Sequence, residues 1–193
     1  MTDFKLLING RLVPGASTLD VLNPATEEVV AACPTASEEQ LNEAVAAAKA
    51  AFPAWSKRPL KERAELLNKL ADAMMARHDE FARLLTQEQG KPLGMAMWEV
   101  GGTAAGLQYF ASLDLPDKVL KDDDETKIIL QHAPLGVVAA ITPWNFPLIL
   151  LSIKVGPGLL AGNTMICKPS PTTASLASLA SSLQSSSYML SGA

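Results

Sequence analysis

The sequence predicts an α/β fold: a β-rich amino-terminal arm, a run of amphipathic helices and a parallel βαβ unit. Three observations predict it. A continuous apolar run (135–141), a helical pattern (146–160) and a second strand pattern (164–168) follow one another closely, and strand, helix and strand in about thirty residues make one βαβ unit. Between residues 38 and 111 apolar residues recur at helical spacing, the pattern of helices with one buried face. Before residue 36, short apolar runs alternate with turn residues, as in small antiparallel ribbons.

Each element has its own signal. Leu6-Leu7-Ile8-Asn9-Gly10 opens a hairpin, because Asn-Gly supplies the positive φ that both turn positions need. Residues 19–22 and 29–32 read as short strands around Asn23-Pro24. Ser37 with Gln40 fits a capping box. The helix that follows carries Leu41, Val45, Ala48 and Phe52 on one face, and Pro53 is expected to end it. Pro59 suits a first helical turn. A second helix places Leu60, Ala64, Leu67, Ala71 and Met74 on one side. Phe81, Leu84, Leu85 and Glu88 continue after a break at His78-Asp79, up to a stop at Gly90. A third helix is expected over residues 95–111, where Gly101, Gly102 and Gly106 allow a neighbour to pack closely. The acidic stretch around Asp122 reads as a loop and as the internal boundary, followed by a strand over 126–132. Residues 174–193, rich in Ser, Ala and Leu, read as a divergent and fraying tail distinct from 1–173.

Composition narrows the function. The chain has 193 residues, 48% hydrophobic, with a formal net charge of −4. That allows a real core and gives no basic patch for nucleic acid. Residues 133–153 carry no charge, which is long enough for a membrane span. Pro134, Pro143 and Pro147 break it, each costing roughly 3 kcal/mol inside a helix, so strand, loop and helix are expected and no membrane span. Two cysteines, Cys33 and Cys167, and the absence of a secretory pattern after Met1 point to the cytoplasm. His78 and His132 are the two histidines, and no zinc-ligand spacing can be assembled, so no metal is expected.

The residues that bear chemistry fall at the end of the βαβ strands, where open α/β sheets bind ligands. Asn145 offers an amide with two donors. At a strand-to-helix corner it suits an oxyanion donor, worth roughly a hundred- to a thousandfold in rate, or a helix cap. Trp144 suits a wall of a cofactor pocket or a core aromatic. Lys168 closes a strand, either marking its exit to solvent or offering an ammonium to ribose hydroxyls or a phosphate. Ser170 adds a hydroxyl, and Pro169 sets the exit direction. Gly156-Pro157-Gly158-Leu159-Leu160-Ala161 resembles a dinucleotide fingerprint, but it follows a helix instead of a strand, and helix packing is expected of it. Neither cysteine has the basic setting of a nucleophile. Cys167 is expected to be an inert core thiol.

Taken together, these motifs resemble the first part of an NAD(P)-dependent aldehyde dehydrogenase. The resemblance runs from Leu6 to about Thr173. It includes Ile8-Asn9-Gly10, Asn23-Pro24-Ala25-Thr26, Gly90-Lys91-Pro92 and Pro134-Leu135-Gly136-Val137-Val138. Its most specific parts are Ile141-Thr142-Pro143-Trp144-Asn145-Phe146-Pro147, Gly162-Asn163-Thr164 and Lys168-Pro169-Ser170. It implies an incomplete Rossmann-like cofactor-binding domain. By position, Asn145 matches the side-chain donor of the oxyanion hole. Ile141, Thr142, Pro143 and Trp144 match the lining of the nicotinamide side of the cleft. Lys168 matches the ligand of the adenosine ribose, with Ser170 close by. Pro171 stands where relatives carry a Glu that holds the ribose hydroxyls, which leaves NAD or NADP open as cofactor.

The resemblance further implies oxidation of a small-molecule aldehyde by attack of a cysteine thiolate, hydride transfer and hydrolysis by a glutamate-activated water. The nucleophile, general-base and later nucleotide-loop segments have no counterpart in these residues, so the chain alone is expected to be inactive. It also implies an oligomerisation arm at 126–132, and hence a homo-oligomer or pairing with full-length subunits. A non-catalytic partner subunit and a nucleotide-binding module without turnover are the competing expectations.

Overall fold

The structure is a computed structural model that describes residues 4–173. The serine-rich tail therefore lies outside the described residues. The chain opens with β1 (Leu6–Ile8) and β2 (Arg11–Val13), an antiparallel hairpin. Asn9 and Gly10 turn it with φ of 51° and 70°, as the Asn-Gly signal requires. Next come β3 (Ser17–Leu22) and β4 (Val29–Thr35), also antiparallel and longer than the sequence suggests. The Asn23 carboxamide oxygen accepts the Ala25 N–H at 2.9 Å and shapes the turn between them. Val21, Ala31 and Cys33 form a small core beneath this ribbon.

Helix α1 (Glu38–Lys57) begins with the expected capping box. The Gln40 N–H donates to Ser37 Oγ at 3.2 Å, and the Ser37 N–H donates to Gln40 Oε1 at 3.1 Å. Pro53 does not end the helix, which continues to Lys57. Lys49 and Pro53 both face solvent, so water can take the carbonyl that the proline leaves bare. The last turn is anchored by the Trp55 indole N–H, which donates to the Leu159 carbonyl at 3.2 Å. The predicted apolar face is covered at one end: Ala48 and Phe52 are half-buried, while Leu41 and Val45 are exposed.

The core lies among α2 (Leu60–Ala76), α3 (His78–Gln89) and α4 (Leu93–Ala111). The second helix buries Ala64, Leu67, Ala71 and Met74 as expected. The break falls at Arg77, whose guanidinium pairs with Glu80 at 2.7 Å. Gly90 closes α3 with φ 76°, a left-handed cap suited to glycine. Helix α4 is central and touches α2, α3 and the later α5. Phe81, Leu85, Val100 and Leu107 are buried where these helices meet, each worth about 1.5–3 kcal/mol on burial.

The acidic stretch is part strand and part loop. It ends one strand and turns into the next: β5 (Lys118–Asp122) and β6 (Lys127–Leu130) form an antiparallel ribbon. Asp123 Oδ1 accepts the N–H groups of Glu125 and Thr126 at 3.1 and 2.8 Å and tightens the turn. The strand expected over 126–132 is therefore shorter, and β5 is additional. Every residue of both strands is exposed, so no buried period marks β5 in the sequence.

The βαβ unit is present. β7 (Val137–Ile141) pairs in parallel with β8 (Thr164–Lys168), in register from Val137↔Thr164 to Ile141↔Lys168, with α5 (Pro147–Leu160) between them. A continuous apolar run such as 135–141 is the pattern of a fully buried parallel strand, and this expectation fails, because Ala140 alone in β7 is buried. The two strands touch α1 and α5, and these helices leave much of the pair's surface open. Gly156 and Gly158 sit inside α5, as their context requires. A Cβ at Gly156 would lie 2.6 Å from the Phe110 ring, and one at Gly158 would lie 2.6 Å from Met165 Sδ. Asn163 ties the unit together: its Oδ1 accepts the Leu135 and Gly136 N–H groups at 2.6 and 3.1 Å, and its Nδ2 donates to the Gly158 carbonyl at 3.0 Å.

Candidate active site

Parallel pairing brings the carboxyl ends of β7 and β8 side by side. The Thr142 N–H donates to the Lys168 carbonyl at 3.1 Å, which extends the ladder by one bond. Thr142 is buried there. Ile141, Pro143, Trp144, Asn145 and Lys168 are all exposed around it. Two segments far apart in sequence thus share one open edge. Ser170 is the exception: it is buried, with Oγ 3.0 Å from Thr172 Oγ1 in the 3-10 turn Pro171–Thr173.

The loop from Thr142 to Phe146 carries the unusual chemistry. Trp144 is 59% exposed, which excludes a core aromatic. Asn145 is not a helix cap either: Phe146 holds the N-cap position of α5, and no side chain of the cap residue bonds the helix. The Asn145 amide has no hydrogen-bond partner among the described residues. Its backbone, by contrast, is held firmly from behind. Gln89 Nε2 donates to the carbonyls of Trp144 and Asn145 at 2.7 and 2.6 Å. Lys91 Nζ donates to the Asn145 carbonyl at 3.1 Å and lies 4.0 Å from the centre of the Phe146 ring. The same ammonium pairs with the carboxylate of Glu99, whose side chain is 0% exposed. Glu99 Oε1 in turn accepts the N–H groups of Leu148 and Ile149 at 3.0 and 3.5 Å. A carboxylate from another helix therefore does the capping of α5, where the helix dipole favours negative charge.

Sequence reasoning gave Gln89 and Glu99 no role here, and knew Lys91 only as part of a turn motif. Glu99 did leave a signal. It is the one carboxylate in α4, within an otherwise apolar and neutral helix, and an acidic group in such a setting needs a partner.

A cleft of about 210 Å³ opens beside Trp144, lined by Pro24, Glu88, Gln89, Trp144, Thr172 and Thr173. It is smaller than the usual small-molecule site and excludes both Asn145 and Lys168, so the exposed strand-end edge is the better candidate. Cys33 is buried beneath the β3–β4 ribbon. Cys167 is exposed, against expectation, because β8 has an open side. Protein atoms crowd its sulfur nonetheless, and this desolvation pushes the thiol up to about 11. It is protonated at neutral pH and unfit as a nucleophile. Among the described residues no three His, Cys, Asp or Glu side chains are placed to hold a metal, and no helix is long and apolar enough to cross a membrane.

Known proteins share this fold. Glutarate-semialdehyde dehydrogenase of Pseudomonas aeruginosa is 39% identical over 183 residues, taking in 90% of this chain and 38% of that protein. The crystal structure of lactaldehyde dehydrogenase from Escherichia coli superposes with a TM-score of 0.90 at 34% identity, covering 94% of this chain and 39% of the other. The NADP-dependent glyceraldehyde-3-phosphate dehydrogenase of Bacillus halodurans, solved with NADP, gives 0.89 at 30% identity over 95% of this chain and 41% of its own. The chain spans 37–38% of the length of the curated relatives it matches. The expected α/β class, part of a larger domain, is borne out by these superpositions. The family's sequence profile matches residues 12–186, running past Thr173 into the serine-rich tail. Over that span the chain belongs to the aldehyde dehydrogenase family.

Proposed function

We propose that these residues supply the oxyanion donor and one wall of the cofactor cleft of an enzyme that oxidises a small-molecule aldehyde to a carboxylic acid with NAD+ or NADP+. The observation that carries this reading is Asn145. Its amide meets no partner among the described residues, at an exposed strand end, while its own carbonyl and that of Trp144 are tied back.

The donor set fits a nicotinamide dinucleotide. Ile141 and Trp144 offer apolar surface on the same edge as the Lys168 ammonium, which is exposed and, among the described residues, bonded to the Pro169 carbonyl at 3.3 Å. A bound NAD(P)+ would supply the hydride acceptor. Lys168 would hold its ribose hydroxyls or a 2′-phosphate, and Trp144 would shield the ring from water. Asn145 would donate to the oxygen on which charge develops as the carbonyl is attacked, the step at which a fixed donor helps most. Neither Cys33 nor Cys167 is placed to make that attack, so nucleophile and base come from outside the described residues. The reading places this work in the cytosol.

The test is Trp144 fluorescence, taken as the difference between the chain and its Trp144→Phe variant, during titration with NAD+ and with NADP+. Quenching that Lys168→Ala weakens supports the reading. An emission that ignores both cofactors at millimolar concentration defeats it.

A second reading has its own observation. The β5–β6 ribbon exposes Val119, Leu120, Ile128, Ile129 and Leu130 together, as an arm that pairs with other subunits would. Co-purification with a longer dehydrogenase subunit supports a pairing role, and a monodisperse monomer counts against it.

A further inference from the structure

We propose that Gln89, Lys91 and Glu99 are positioning residues that make the Trp144–Asn145 loop a donor face for a negatively charged or developing oxyanion group. The inference rests on the reading above and deepens it.

A trans peptide is planar, and its N–H points opposite to its C=O. No peptide bond among the described residues is cis. Gln89 Nε2 draws the carbonyls of Trp144 and Asn145 toward the corner between α3 and α4, and Lys91 Nζ adds a charged donor to the second. The N–H groups of those two peptides, on Asn145 and Phe146, therefore point away from the corner. Neither finds an acceptor among the described residues. The backbone at the open edge thus presents donors, with its two acceptors consumed behind it. The Asn145 amide stands in the same place, also without a partner.

The corner can act this way because of its charges. An unpaired ammonium would be costly at this depth. The Lys91 side chain is 8% exposed, and the Glu99 carboxylate neutralises it. Glu99 also grips the first N–H groups of α5. The loop is thereby clamped on both sides, at its carbonyls and at the helix that follows. Gln89 reaches it because Gly90 ends α3 at that point and turns the chain toward Lys91. None of the three side chains need touch a substrate, so their effect is on orientation.

The test labels the 193-residue chain with fluorotryptophan and follows Trp55, Trp98 and Trp144 by fluorine NMR, assigned with Trp144→Phe. Gln89→Glu replaces a donor with a group that repels both carbonyls. Lys91→Met removes the charge at similar length. Both are expected to move the Trp144 line by more than its own width without cofactor, while the Trp55 and Trp98 lines hold. Lys91→Arg is expected to restore it. A general loss of packing would disturb all three lines, so the pattern separates positioning from mere stability. If Lys91→Met loses the Trp55 and Trp98 lines, Gln89→Glu decides alone, since Gln89 lies half-buried at a helix end. A Trp144 line that stays put in folded Gln89→Glu overturns the proposal. Titration with NAD+ forms a separate arm. A wild-type Trp144 line indifferent to NAD+ defeats the cofactor reading, while the shifts without cofactor still report on positioning.

Discussion

Glu99 binds an ammonium with one oxygen and helix amides with the other, inside a fully buried site. Taking away one partner of such a pair leaves the other charge buried, which typically costs about 3–5 kcal/mol. Glu99→Ala is therefore expected to lower stability by that amount, a large share of the roughly 5–15 kcal/mol of an ordinary domain. Glu99→Gln keeps an acceptor for Leu148 and should cost less. Urea unfolding of the three chains gives the order, and equal midpoints for wild type and Glu99→Ala would refute it. Cys167 permits a pH test. Its thiol is raised by desolvation to about 11, so the reactive thiolate is scarce at neutral pH and grows about tenfold per pH unit on the way up. Alkylation by iodoacetamide should be slow at neutral pH and still rising past pH 9; a plateau near the ordinary thiol value would show that burial does not govern this group. At this scale the sequence exposed Asn145, Trp144 and Lys168, because short motifs announce them. It gave Gln89 and Lys91 no site role, and marked Glu99 only as a lone carboxylate in an apolar helix. Their partners include backbone atoms 49 to 56 residues away, and a bond to a backbone atom requires no particular residue at the far end.

Elements whose signals are local matched the structure closely. The Ser37–Gln40 box, the Asn9-Gly10 turn and the Gly90 stop each rest on chemistry within a few residues. Strand β8 fell on 164–168 as expected, since Gly162 and Lys168 bracket a short apolar run. Errors arose where a tertiary contact overrides a local rule. Pro53 stays helical because Trp55 anchors the turn beyond it, and β5 escaped notice because nothing buries it. The two glycines of α5 yield a prediction that separates packing from propensity. Glycine to alanine inside a helix gains about 1 kcal/mol from propensity. At Gly156 the new methyl would meet the ring and Cβ of Phe110, at 2.6 to 3.3 Å. A ring pinned near its own backbone cannot step aside, so Gly156→Ala should lose about 1–3 kcal/mol by overpacking. At Gly158 the nearest atoms are Met165 Sδ and Cε, the free end of a flexible chain. Gly158→Ala should fall near neutral. Thermal unfolding of both variants tests the contrast, and equal losses would mean that backbone approach, not side-chain adaptability, sets the cost.

Among the described residues, two strand pairs leave apolar surface without cover. The parallel β7–β8 sheet has two strands among these residues, and Ile141 at its end is 65% exposed. The β5–β6 ribbon stands apart, with Val119 directly opposite Ile129 and both exposed. Contiguous exposed apolar patches mark association sites, and unpaired strand edges invite pairing. The chain is therefore expected to self-associate as its concentration rises, in sedimentation velocity runs at moderate salt. The ribbon and the sheet edge can be told apart. Val119→Lys with Ile129→Glu replaces an apolar cross-strand pair by an opposite-charge pair, which keeps roughly 0.2–1 kcal/mol of pairing within the ribbon while removing its apolar face. If the ribbon drives association, the double variant sediments as a monomer at concentrations where the wild type does not. If association persists unchanged, the open β7–β8 edge drives it, and the pairing role proposed for the ribbon falls. A wild-type chain that stays monomeric throughout would remove both, and would mean that the exposed apolar side chains are too dispersed to act as one surface.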